Sequence, residues 1–127
     1  MKGYEAKIVD GSREFSKVES LKIKMLSGAI AIDDLLKDSD NPIIEGVTDW
    51  AELQIHNENS KQDKDYSKYV VLTENGDMFI TGSESFWDSF RTIYDTMNEG
   101  EKETFSVQVY AVKSTNFAGE FFNCAIV

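Results

Sequence analysis

The sequence has one cysteine, one histidine and one proline in 127 residues, and each scarcity excludes something. Cys124 has no second cysteine to bridge, so no intrachain disulfide forms and a reducing, cytoplasmic compartment is expected. With His56 as the sole imidazole there are too few soft ligands for a zinc centre, and no metal or other cofactor is expected. No run of about 18 apolar residues is long enough to span a bilayer, and the opening MKGYEAKIVDGSREF lacks the continuous apolar segment of a secretory signal, so no membrane association is expected. Cations are scarce as well. Thirteen Lys and Arg stand against 23 Asp and Glu, and a net charge of −10 argues against long-range attraction to a polyanion. Catalytic signatures are missing too: there is no nucleophile elbow and no glycine-rich phosphate loop, and the pairs Asp33–Asp34 and Asp38–Asp40 lack the twelve-residue calcium loop that would make them ligands. An enzyme is not expected.

What is present is enough for one buried core: 41% apolar and 12% aromatic residues in a length typical of a single domain, 1–127. The charge is uneven. Residues 1–24 carry +2, 25–60 carry −7, 61–82 carry −1, 83–103 carry −4 and 104–127 carry 0. Residues 2–9 read as an opening strand, and Phe15, Val18, Leu21, Met25 and Leu26 recur at helical spacing over 14–27. Asp33 starts a short helical turn that Asn41 and Pro42 stop. From Ile43 to His56 the pattern alternates, with Val47, Ala51, Leu53 and Ile55 on one face and Thr48, Trp50, Glu52, Gln54 and His56 on the other. A polar loop follows over 57–66. Tyr69–Thr73 and Met78–Thr81 flank Asn75-Gly76, a strong hairpin signal. Ser85 with Asp88 resembles a capping box ahead of a helix whose stripe is Phe86, Trp87, Phe90, Ile93, Tyr94 and Met97. Phe105–Lys113 and Glu120–Val127 are the last strands, joined by the loop 114–119.

This is a mainly β fold with helices. Residues 1–41 form an N-terminal helical extension, and 42–127 give the order β-β-β-α-β-β of a five-stranded, OB-fold-like β-barrel. If Val70, Leu72, Met78 and Ile80 point into that barrel, the two-residue period leaves Tyr69 and Phe79 on the outer, wet face, with Trp50 and Tyr110 on theirs. Such a platform suits base stacking, which contributes roughly 1–3 kcal/mol per base and tolerates any sequence. Each aromatic has a plain structural alternative, which is to pack beneath a helix. Lys61, Lys64, Lys68, Arg91 and Lys113 are the candidate phosphate contacts, with Tyr66 and Phe117 as loop clamps.

Two stretches, YVVLTENGDMFITGSESFWDSF and VYAVKSTNFAGEFFNCAIV, carry a resemblance. They resemble small single-stranded-DNA-binding proteins of tailed phages, mostly of Gram-positive hosts, over about residues 42–127. SLKIKMLSGAIAIDDLL is similar to the N-terminal region of that family. The resemblance implies an OB-like fold and non-enzymatic, sequence-tolerant binding of single-stranded DNA in phage DNA replication or recombination, in the cytoplasm of an infected cell. By position, Lys113, Asn116 and Phe117 correspond to the loop beside the nucleic acid. Replication or recombination proteins are further expected partners, and a second copy of the chain is another. The chain ends at Val127 without an acidic tail, so tail-borne partner recruitment is not expected. The rival reading is an acidic protein-interaction domain, or DNA mimic, that offers the acidic blocks near 33–58 and 84–103 to a basic host protein.

Overall fold

Alternation sustained from Ile43 to Asn57 makes one strand of 15 residues, and the rest of the sheet is laid against it. The structure is a computed structural model that describes residues 3–39, 41–59, 64–113 and 120–127. The elements are β1 Tyr4–Gly11, α1 Lys17–Met25, β2 Ile30–Ala31, α2 Ile32–Asp38, β3 Ile43–Asn57, β4 Asp65–Thr73, β5 Met78–Thr81, α3 Glu84–Met97, β6 Phe105–Lys113 and β7 Glu120–Ile126. They form a mainly β fold, a curled half-barrel in the order β2-β5-β4-β3-β6-β7, with β1 also paired to β3. Along one edge of β3, residues 43–47 pair with β6 and residues 51–57 pair with β1, both antiparallel. Residues 1–41, expected as a helical extension, thus supply two strands: β1, and β2 parallel to β5.

The long strand bends near Gly46, whose φ is +65°, and register shifts fall between Ile44 and Val47 and between Val47 and Asp49. These irregularities reverse the parity expected for Val47. It packs with the cluster beneath α3, while Ala51, Leu53 and Ile55 pack on the opposite face. The hairpin at Asn75-Gly76 forms as its signal implies, with Gly76 at φ +85° and its N–H donating to the Thr73 carbonyl at 3.1 Å. Strand β4 begins at Asp65, four residues before the predicted Tyr69, so Tyr66 belongs to the sheet and not to a loop.

Helices α1 and α3 each start on a hydroxyl cap, whereas α2 starts at Ala31 with no side-chain cap. Ser16 caps α1 in a reciprocal box with Glu19. Helix α3 is capped by Ser83, whose side chain accepts from the Phe86 N–H at 3.2 Å, so the Ser85–Asp88 box expected from sequence is not the one used.

Both faces of the sheet are covered, and they are covered differently. Helix α3 lays Phe86, Trp87, Phe90 and Tyr94 over Trp50, Tyr69, Val71, Phe79, Phe105 and Val107. Trp87 lies between two rings, 4.8 Å from Tyr69 and 5.1 Å from Phe90, both within 13° of parallel. Trp50 meets Trp87 edge-on at 5.6 Å. Pairs of this kind add about 0.5–1.5 kcal/mol beyond the burial of their area. The other face carries Ala51, Leu53, Ile55, Val70 and Met78, shielded by β1 and by α1, whose buried residue is Ile23.

Candidate nucleic-acid interface

The aromatic platform expected on the wet side of the sheet is an interior. Trp50 is 4% exposed, Tyr69 8% and Phe79 8%. The period-two argument did group Tyr69, Val71 and Phe79 on one face, but α3 roofs that face with its own rings. The signal that could have shown this lies in the sequence: an aromatic helix stripe needs an apolar partner, and the uninterrupted run YVVL is what a strand buried on both faces reads like.

Arg91 is likewise committed. Its guanidinium carbon stands 3.7 Å over the Trp50 ring, and a terminal nitrogen lies 3.8 Å from Asp95. That places it as a cation–π lid on the aromatic core. The buried Trp50 Nε1 and Arg91 Nε have no acceptor among the described residues.

The residues still open to a ligand lie on the other face, at the end of the sheet where β1, β3 and β4 run together. Tyr66 pairs across the ladder with Ile55, and Ile55 pairs on its other side with Ala6. Lys68, two residues along β4, shares the face of Tyr66 and reaches toward Gly82, its ammonium 3.6 Å from where a Cβ there would stand. Tyr4 lies across β3 from Tyr66. Burial raises the Tyr4 hydroxyl above its ordinary value, and the neighbouring Tyr66 raises it further. Beside Tyr4 opens a pocket of about 540 Å³ lined by Tyr4, Ala6, Lys24 and Met25. Two half-buried tyrosines, an accessible apolar hollow, and Lys24 and Lys68 thus share one surface. Sequence reasoning missed Tyr4 and Lys24. The alternation Tyr4, Ala6, Ile8 in the first strand was the available signal, but only the pairing of β1 with β3 brings that strand to Tyr66.

The neighbouring β3–β4 connection begins in a cluster of charge. His56 Nε2 lies 2.6 Å from Glu58 and Nδ1 lies 2.7 Å from Asp65, and Lys64 lies 3.4 Å from Glu58. The hydrogen bond to Glu58, then that to Asp65, raises the His56 pKa, and His56 with Lys64 lowers that of Glu58. Glu5 stands in register with His56 on β1. Lys64 is therefore exposed but already paired with a carboxylate.

The remaining predicted positions fall elsewhere. Tyr110 is half-exposed on β6, in register with Asn123, and β6 pairs with residues 43–47 of β3, the opposite end of that strand from Ile55, the partner of Tyr66. Lys113 ends β6 in register with Glu120. Lys61, Asn116 and Phe117 lie outside the described residues. Among the described residues there is no cluster of three or more His, Cys, Asp or Glu able to hold a metal, and no helix is long and apolar enough to cross a membrane.

No protein-family model, no curated protein and no solved structure matches the chain.

Proposed function

We propose that the protein binds single-stranded DNA without sequence preference and without catalysis, on an OB-like half-barrel. The observation that carries this reading is the surface shared by Tyr66, Lys68, Tyr4 and Lys24, which offers ring faces and ammonium groups together where the sheet is only thinly covered. The strand order supports the fold side of the proposal. β6 returns through α3 to lie beside β3, so the order β6-β3-β4-β5 is that of a Greek key, and a helix between the third and fourth strands is the OB arrangement. The resemblance of residues 42–127 to phage single-strand binders supplies the setting, DNA replication or recombination. Lys61 and Lys64, between β3 and β4 in the chain, and Lys113, Asn116 and Phe117, at the end of β6 and after it in the chain, extend the proposed contacts.

Trp50 and Trp87 are both buried, so binding is read by the anisotropy of a labelled thymidine oligomer, not by tryptophan quenching. We expect saturable binding at low salt that weakens as salt rises, because each neutralised phosphate releases counterions. Tyr66→Ala is expected to weaken it by roughly 5- to 150-fold, in line with about 1–3 kcal/mol for a stacked base. A flat titration at low salt, or an unchanged affinity in both Tyr66→Ala and Lys68→Ala, overturns the reading.

A second reading has its own observation. Helix α3 turns Glu84, Asp88 and Asp95 to solvent, an acidic stripe suited to a basic protein partner. Absence of oligonucleotide binding together with salt-sensitive capture of a basic protein would favour it.

A further inference from the structure

Helix α1 carries large apolar side chains on the side that faces water. Val18 is 63% exposed, Leu21 57% and Met25 68%, while the helix is anchored by Ile23. At about 100° per residue, Val18, Leu21 and Met25 fall within an arc of about 60°, and Ile23 points roughly opposite to it. The periodicity of this segment identified a helix correctly, but most of the stripe it marks is turned outward. Lys17 and Lys24 border the stripe on one side and Lys22 on the other, all exposed, and among the described residues none of the three pairs with a carboxylate. The acidic neighbour on this helix, Glu19, is already held by Arg13 and by the Ser16 cap, which bring its carboxyl down to about 2. The exposed surface is therefore an apolar ridge with a cationic rim.

We propose that this face of α1 docks an amphipathic helix of another protein whose apolar stripe is bordered by Asp and Glu. Spacing of three and four residues is what a facing helix packs against, and the lysine rim sets the sign of the partner. A second copy of the chain does not fit. Its acidic helix α3 presents Glu84, Asp88, Thr92 and Asp95 with no apolar residue in that stripe to cover Leu21, the seven-residue α2 turns its Leu35 and Leu36 onto the chain's own core, and α1 against α1 would set lysine rims together. An anionic bilayer does not fit either, because a plane of negative charge would also meet the acidic remainder of a molecule with net charge −10. The proposal does not require DNA binding, although a docked helix would share Lys24 and Met25 with the candidate nucleic-acid surface.

The test uses the full chain and a labelled synthetic helical peptide of about 15 residues (roughly four turns), with Leu on one stripe and Glu beside it. The control peptide is identical except for Lys in place of Glu. The acidic peptide is expected to bind saturably and the basic one not to bind. Leu21→Asp, and separately Lys17→Glu with Lys22→Glu, are each expected to weaken binding at least about tenfold, as for loss of a central contact. Both variants alter exposed side chains, and circular dichroism checks that they stay folded. Equal binding of the two peptides, binding indifferent to Leu21→Asp, or no binding of the acidic peptide overturns the proposal. So does self-association by sedimentation that Leu21→Asp abolishes, or flotation with phosphatidylcholine–phosphatidylglycerol vesicles.

Discussion

The two faces of the sheet use opposite strategies of burial. The α3 face is a stack of rings fixed by interlocking geometry, and its helix commits Phe86, Trp87, Phe90 and Tyr94 to it. The α1 face is aliphatic and is covered by a short helix that commits Ile23 and leaves three apolar side chains in water. Removal of a residue should therefore be felt globally on the first face and locally on the second. The faces also divide the roles: the rich aromatic surface holds the fold, and the thinly covered one has the openings where a ligand can reach tyrosine and lysine.

One carboxylate joins the two regions. Asp49 is buried and accepts from Ser12 Oγ at 3.0 Å, with Arg13 at 3.3 Å and Lys102 at 3.1 Å. Ser12 in turn receives the Trp50 N–H at 3.0 Å. The segment leading into α1 and the connection after α3 thus share a partner at the base of the aromatic cluster.

The largest effect is expected from Phe90→Ala, a fully buried ring that touches Trp87, Tyr94 and Phe105. Its loss should cost about 3–5 kcal/mol in urea unfolding, enough to unfold a marginal domain. Ile23→Ala should cost about 2 kcal/mol, the low end for an isoleucine, and should raise hydrogen exchange in α1 before the rest of the chain. If Ile23→Ala matched Phe90→Ala in a global transition, the contrast between the faces would fail.

Asp49→Ala should cost about 1–3 kcal/mol by stranding the part-buried Ser12 hydroxyl and removing the charge-assisted bonds from Arg13 and Lys102, with exchange rising near residues 12–16 and not within α3. The smallest stability change is expected from Val18→Ser, within about 0.5 kcal/mol because the side chain is already in water. A larger loss would mean that the ridge packs against something within the chain.

The charge cluster around His56 gives a pH prediction. The folded-state pKa of His56 is raised above 6.5, so its contribution to stability is fully present below that value and fades as pH rises through the raised one. Glu58 is depressed below 4.5, so its part is present above that value and is lost as pH falls through the lowered one. Denaturant midpoints followed across neutral pH should decline on the alkaline side in the wild type and lose that decline in His56→Gln. An identical pH profile in both would remove the bridge from the account.

Much of the fold was legible because its causes are local. Alternation in Ile43–His56, the Asn75-Gly76 turn, the α3 stripe and the last two strands depend on spacing and on residues in turns, and each appears within a few positions of where the sequence puts it. The mainly β character follows from them. Which face was wet was not legible from periodicity, which assigns residues to faces without saying what covers a face; only the uninterrupted run YVVL and the aromatic stripe of α3 hinted at burial on both. Tyr69 and Phe79 alternate in the same way whether α3 lies over them or solvent does. Val47 changed faces through a bulge that no alternation pattern announces. Tyr4 and Lys24 joined Tyr66 only through a pairing between β1 and β3, some fifty positions apart in the chain. The sequence by itself determined most of the elements and their order, though not β2 or the face taken by Val47. The tertiary structure decided which sides meet, since a long-range contact depends on two segments at once and is written in neither.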